Sequence, residues 1–517
     1  MQYGFDSAAV GALQAMPGFL RVFGYEDAKN PTGYGINPTV QQLIASLLTL
    51  GSFLSSLCAG LFSRRFGRRQ GLWLACLLNM ASCVVMMATT DVNVLYLGRL
   101  LLGVSNGFLV TFSNVYTAEA APAQLRGVVV ALFAWWVNIG SIVGSIVVNY
   151  TRVHADKRSY QIPIGCLLVV PVLLSVALAF VPESPRWLAH RGSEGAAREA
   201  LARLRPDPPL QTMVAGGTAA AALEVELREM LAGIGEESER AAGGGAGFRD
   251  MFRGADLRRT LLCHAALASQ TASGIWFLIA YQTYFLIQGG VSRGFEYSIM
   301  TTCAGFVGVN LGMLAMGRLR LGRRAVLVAG SAACGLAQLG TAVAYTAAGA
   351  GSAAATSSLV AFLTLHKFFY NAGVGAASYP VATEVVGTRL RAQTVGSATS
   401  LGYVLAWLTS FCSPYFINPT KLNWASGAQY CYIWAASNFI CVVFFYFCMP
   451  ETANRTLEEL DEMFEARLSV RQFKKYQCVG REDARRSEKG GALDFGEKRG
   501  GEMEHIEVPT PDETRKS

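Results

Sequence analysis

The segments PESPRW (182–187) and PETANRT (450–456) each close a long apolar run, and their prolines, Pro182 and Pro450, stand 268 positions apart. Two further pairs keep the same order. RRFGRRQG (64–71) resembles RLRLGRRAV (318–326), with Gly67 and Gly322 255 positions apart. AEAAPAQLRG (118–127) resembles TEVVGTRLRA (383–392), with Glu119 and Glu384 265 positions apart. Three matched pairs at similar offsets describe a duplicated unit. Each unit holds several apolar stretches, and parallel repeats of this kind build transporters whose substrate site lies between the halves near the bilayer midplane.

The apolar stretches are long enough to cross a membrane, which takes about 20 residues each. They read as 1–20, 42–62, 71–90, 94–118, 127–149, 161–181, 260–287, 297–316, 325–346, 358–381, 394–413 and 428–449, six before and six after the loop 182–259. The expected fold is therefore all-α and polytopic: a six-helix bundle over 1–181, a cytoplasmic linker with short helices over 182–259, a second six-helix bundle over 260–449, and a cytoplasmic tail over 450–517, mostly disordered after 470. Composition agrees. Of the 517 residues, 52% are hydrophobic and only 15% charged, against about 25% charged in an average soluble domain, and the mean hydropathy is +0.32.

Basic residues exceed acidic ones, 44 to 36, and the excess belongs to loops. No basic patch interleaved with aromatics is present, so nucleic acid is not an expected partner. The loops after even-numbered spans carry Arg64, Arg65, Arg68, Arg69, Arg126, Arg318, Arg320, Arg323, Arg324, Arg389 and Arg391; the opposite loops carry fewer cations. By the positive-inside rule both termini face the cytoplasm. Twelve cysteines fall mainly within spans and show no metal-ligand spacing, so they read as small apolar side chains. The stretches SEGAAREALARLR and AAALEVELREML of the central loop read as amphipathic helices under the membrane domain. The sequon Asn149-Tyr150-Thr151 lies at the outer end of the fifth span and is a glycosylation site; Asn454-Arg455-Thr456 faces the cytoplasm and stays unmodified. No catalytic triad, metal cluster or phosphate-cradling loop is present, so neither an enzyme nor a cofactor is expected.

One acid, Asp6, lies inside the first span. An unpaired acid at the bilayer centre costs at least about 2.5–3.5 kcal/mol, and its natural partner is Arg99, near the start of the fourth span. Met1 is only five residues from Asp6, about 7–8 Å along a helix, so the first span reads as truncated: the true start lies upstream, or the span is shifted.

These signatures together resemble the sugar porter family of the major facilitator superfamily, in the style of its fungal members. The resemblance runs from YGFD near the start to PETANRTLEELDEMFEARL, and includes GRLLLG (98–103), EAAPAQLRG (119–127) and both Gly-Arg-Arg loops. It implies a major facilitator fold and a monomeric, plasma-membrane carrier surrounded by lipid. Such a carrier moves a sugar or sugar-like polyol by alternating access, with protons coupled through Asp6 and Arg99. Glu119 with Arg126, and Glu384 with Arg389 or Arg391, would pair helix ends when the cytoplasmic side is closed and so latch the outward-facing state.

Several positions depart from that pattern. Of the seventh-span glutamines Gln270 is kept, while Thr271 and Trp276 replace the second Gln and an Asn. The fifth-span glutamines become Ala134 and Ser141, with Asn138 nearby. Tyr379 lies near an aromatic pocket position, and Tyr281 and Asn310 are further lining candidates. The Asp of the loop pattern GxxxDRxGRR is replaced by Arg64 and Leu319. A cavity with Trp135, Trp136, Trp276 and Tyr379 can stack on a pyranose face or on a flatter molecule. The alternative is thus a carrier of the same fold for a non-sugar compound such as a fungal secondary metabolite. A transporter-like nutrient sensor is a further alternative.

Overall fold

The computed structural model describes residues 1–27, 33–122, 126–205, 219–242, 248–349, 351–387, 390–418, 427–453, 455, 457–466, 468–473 and 476. In the first half the helices are α1 (Gln2–Leu13), α2 (Pro17–Phe23), α3 (Pro38–Phe66), α4 (Arg68–Ala88), α5 (Val92–Ala120), α6 (Arg126–Thr151), α7 (Arg158–Cys166) and α8 (Val169–Phe180). The linker contributes α9 (Pro185–His190), α10 (Glu194–Leu204) and α11 (Ala219–Ala242). The second half has α12 (Gly254–Ala272), α13 (Ile275–Gln288), α14 (Gly294–Gly317), α15 (Arg323–Ala348), α16 (Ala353–Ala372), α17 (Val374–Val385), α18 (Arg391–Ile417) and α19 (Tyr430–Cys448), followed by α20 (Leu457–Glu465).

Among the described residues ten crossings, with α7–α8 and α12–α13 each counted as one, are long and apolar enough to span a membrane. Two further columns, α1–α2 and α16–α17, are interrupted as well. Local chemistry sets the breaks. Pro17 opens α2 and holds Met16 extended, because proline disfavours a helical residue before it. Gly274, at φ +81°, divides α12 from α13, a conformation that costs a side-chain-bearing residue about 1–2 kcal/mol. Other starts are capped: Asn37 accepts from Thr39 N at 3.0 Å, Asp91 from Asn93 N at 2.8 Å, and Ser352 from Ala355 N at 3.1 Å, each satisfying an otherwise orphan amide.

Both linker stretches are helical and pack together through Ala189, Ala197, Leu201 and Leu227. The second half begins earlier than the expected residue 260, because Arg258 and Arg259 are not loop charges. Arg259 pairs with Asp461 at 2.7 Å, and Arg258 donates to Leu468 O at 2.7 Å. The tail likewise stays packed past 470: Phe473 is buried against Phe464, ring centroids 5.1 Å apart. Residues 477–517 lie outside the described residues. A short antiparallel pair, Tyr25–Glu26 with Tyr34–Gly35, follows α2.

The two ends of the bundle differ. At the end away from the arginine loops, one apolar core joins both halves, from Phe5, Phe19 and Ile44 to Tyr281, Phe285 and Ile417. Polar bonds reinforce it. Asn418 Nδ2 donates to Gln41 Oε1 at 2.7 Å, Tyr284 Oη to Asn418 Oδ1 at 2.7 Å, and Arg152 pairs with Glu296 at 3.1 Å. At the arginine-rich end the cores are separate. One, around Leu72, Phe108 and Phe112, belongs to the first half. The other, around Leu262, Leu327 and Val381, belongs to the second. The halves therefore meet at the far end and part at the basic end.

Candidate functional site

The basic end carries the duplicated motifs, and they fold into matching knots. Glu119, at the end of α5, accepts from Arg68 Nη2 at 2.8 Å, Arg68 Nε at 3.0 Å and Ser184 Oγ at 2.5 Å. Glu183 accepts from the backbone amides of Arg68 at 3.0 Å and Arg69 at 3.1 Å, so its charge sits on the exposed N–H groups and positive dipole end of α4. The second half repeats this. Glu384 pairs with Arg323 at 3.3 Å and accepts from Thr452 Oγ1 at 2.6 Å, while Glu451 packs against Gly322 at the start of α15. Gly67 has φ +98°, and a methyl there would stand 2.5 Å from Glu183 Oε2.

Among the described residues the acids of the expected ion pairs find other arginines. Glu119 is held by Arg68, and Glu384 by Arg323, arginines that the loops alone suggest only for topology. Arg391 turns instead to its own loop, its Nη2 donating to Val386 O at 3.2 Å. The Arg126 side chain and Arg389 lie outside the described residues. All four acids bind within their own half, and they do so while the basic end is parted. Their pairing therefore ties elements together within each half.

Asp6 and Arg99 lie together inside the first half, 0% and 1% exposed. The guanidinium acts on the carboxylate through space, but the two do not form an ion pair. Asn106 intervenes: its Nδ2 donates to Asp6 Oδ2 at 2.5 Å. Asn106 stands seven residues beyond Arg99 on α5, two turns along the same face and about 10 Å away, so Asp6 engages one turn and faces the charge of the other. Asp6 Oδ1 and Arg99 Nε and Nη2 remain without a protein partner. Both groups are sealed within the bundle in this conformation.

A cavity does separate the halves. Tyr3, Ser7, Thr49, Trp276, Tyr403 and Ser410 line it. Trp276 is half-buried at its wall. Gln270 is fixed by Ser378, to which its Nε2 donates at 2.7 Å, and by Tyr370 Oη, which donates to its Oε1 at 3.4 Å. Tyr379, on α17, is 47% exposed. Tyr281 is different. It is fully buried, and its hydroxyl donates to Ser410 O at 2.7 Å and reaches Gln41 O of the other half at 3.5 Å, so it belongs to the far-end closure and not to the open wall. Asn138 and Asn310 each spend an amide donor on their own helix, at Ala134 O and Phe306 O. Nearby, Trp135 meets Phe306 across the halves at 5.6 Å.

The glycosylation site at Asn149 is not supported by its placement. Asn149 lies in the last turns of α6 with its Oδ1 shielded, and Thr151 is buried with its hydroxyl donating to Val147 O at 3.0 Å. Among the described residues no group of three or more metal-ligating side chains converges, and the described cysteines are free thiols.

Sequence reasoning missed Arg68, Arg323, Glu183, Glu451, Ser184 and Thr452 as partners, although each belongs to a repeated motif. It also passed over Lys367, a cation in the middle of the tenth crossing.

Comparison with known proteins agrees with this architecture. The family model described as "Sugar (and other) transporter" matches residues 1–464. The major facilitator-type transporter ecdD of Aspergillus rugulosus is 29% identical over 95% of this chain and 90% of its own. The probable glucose transporter rco-3 of Neurospora crassa is 26% identical over 89% of this chain and 77% of its own. Among solved structures, an inward-open conformation of the xylose transporter XylE from E. coli superposes with a TM-score of 0.67 at 18% identity, covering 89% of this chain and 96% of that one; this establishes the fold. The two knotted halves, the cavity between them and the match along most of the chain lead to one assignment: the protein belongs to the sugar (and other) transporter family.

Proposed function

We propose that the protein carries a sugar or sugar-like polyol across the plasma membrane by alternating access, driven by protons and working as a monomer in lipid. The observation that carries this reading is the cavity between two halves that meet at one end and part at the other, in a chain of this family with a probable glucose transporter among its relatives. With the arginine-rich end placed in the cytoplasm, the structure is closed outside and open inside. Gln270, with Ser378 and Tyr370, is the polar hand-hold. Trp276 and Tyr379 offer the flat faces against which a pyranose ring stacks. Tyr281 and Asn418 are the bonds that must break for the outer side to open.

Proton coupling follows from the balance inside the first half. Asp6 keeps one free carboxylate oxygen and Arg99 keeps free donors. A proton on Asp6, or a swing of Arg99 onto it, satisfies the carboxylate in different ways. Each arrangement suits a different packing of α1 against α5, so protonation biases the equilibrium between states.

The test is uptake of radiolabelled hexoses and polyols in transporter-null cells, with and without a protonophore, for the wild type and Asp6→Asn. Accumulation that the protonophore abolishes is expected, as is a D6N variant that exchanges substrate but no longer concentrates it. Failure to move any sugar, combined with transport of a non-sugar metabolite, overturns the substrate; concentrative uptake by D6N overturns the coupling.

A further inference from the structure

Among the described residues, three charged residues are set within the crossing columns away from their loop-facing ends: Asp6, Arg99 and Lys367. The first two cancel. Lys367 leaves an unbalanced positive charge near the middle of the tenth column, about 21 Å along the helix from Ala353 and about 27 Å from Val385. A lone ammonium at that depth is costly, and it is found where a pathway or an opposite charge compensates it.

Lys367 has no acidic partner among the described residues. Among the described residues it makes no hydrogen bond or ion pair. It is half-buried, in the interrupted column that also carries Tyr379. One turn away, Asn371 is 9% exposed and its Nδ2 has no partner. Both side chains lean on Gly305 of α14: a methyl on Gly305 would stand 2.6 Å from Asn371 Nδ2 and 3.0 Å from Lys367 Cγ. Tyr370, between them in sequence, reaches Gln270, which ties this corner to the hand-hold already described. An ammonium and an amide N–H₂ are donors with no acceptor nearby, and such a pair fits a negatively charged acceptor.

We propose that Lys367 and Asn371 form an anion-binding subsite in the cavity wall, and that the transported molecule is an acidic sugar whose carboxylate docks there while its ring lies against Trp276 and Tyr379. This rests on the carrier reading above and narrows its substrate to uronic- or aldonic-type acids. Docking the carboxylate brings the buried charges to zero, whereas a neutral hexose leaves the lysine uncompensated.

The experiment measures binding to the purified full-length protein in detergent, by tryptophan fluorescence, with D-glucose, D-glucuronate, D-gluconate, D-glucose 6-phosphate and benzoate as probes. Wild type is expected to bind glucuronate or gluconate at least about tenfold more tightly than glucose, the worth of one charge-assisted bond. Lys367→Met should bring that ratio to near one, Lys367→Arg should keep most of it, and Asn371→Asp should abolish it by supplying the lysine with an internal counter-ion. Melting curves establish that the variants are folded. Preference for the phosphate ester over the carboxylates, lost in K367M, upholds the subsite and changes its anion. Equal binding of glucose and glucuronate, or a preference that K367M leaves intact, overturns the proposal while the sugar reading survives. Binding of benzoate alone, lost in K367M, keeps the subsite and removes the sugar; no binding of any probe removes both.

Discussion

Replacing Glu119 by glutamine tests the role of the basic-end knots. Glu119 and Arg68 are 13% and 15% exposed and joined by two nitrogens, with Ser184 as a third donor. Removing one partner from a buried pair costs about 3–5 kcal/mol. Glutamine keeps one acceptor oxygen, worth about 1 kcal/mol, so a loss of about 2–4 kcal/mol is expected. For a half of this size that is a drop in melting temperature of roughly 4–16 °C. Arg323–Glu384, at 3.3 Å through a single nitrogen and 24% and 25% exposed, should cost less when Glu384 is changed, about 1–2 kcal/mol. The assay is thermal melting of purified Glu119→Gln, Arg68→Gln and the double variant, with a coupling of about 1–3 kcal/mol expected from the cycle. In parallel, labelling of Ser410→Cys from the far side reads how often that side opens. A Glu119→Gln protein that melts like the wild type but labels faster would show that the pair governs the state and not the rigidity of a half, and would refute the reasoning.

Tyr281→Phe removes the hydroxyl bonded to Ser410 O. The far-end-open population should rise roughly two- to tenfold, the range of one net hydrogen bond, as faster labelling of the same cysteine. Gly67→Ala should lower the melting temperature more than Gly322→Ala. Both methyls meet a glutamate, at 2.5 and 2.1 Å, but Gly67 alone also carries a left-handed φ, worth about 1–2 kcal/mol. Treatment with an N-glycosidase should leave electrophoretic mobility unchanged, because Thr151 of the sequon is buried and its hydroxyl is committed to Val147 O.

Ten of the twelve expected crossings and the repeated motifs were legible because lipid imposes length and low charge on a crossing, and because three motifs kept their spacing. What those motifs grip was not. Glu119 lies 51 residues from Arg68 and 65 from Ser184, and a nearer arginine, Arg126, offers itself first; only the packing of α4 beside α5 decides. Pro17 announces the break after α1, since the residue before a proline leaves the helix, yet the apolar run continues across it and hides the signal. Tyr281 reads as a cavity group by position in its span, but which side of α13 faces the other half depends on the state of the carrier. Asp6 and Arg99 were found as the acid and base of the first half, whereas Asn106 between them was not, because an asparagine two turns along a helix carries no mark of its role. Lys367 was visible as a cation within HKFFYNAG and needed only the question of what balances it.

The knots at the basic end have a mechanical consequence. Each half, cinched by its own glutamates, moves as a stiff lever, so the give that a working stroke demands falls on interrupted columns such as α1–α2, α12–α13 and α16–α17. Those same three columns present Tyr3, Trp276 and Lys367. A passenger molecule thus presses on the parts of the machine that bend, and its shape and charge translate into motion without any force having to pass through the clamped ends.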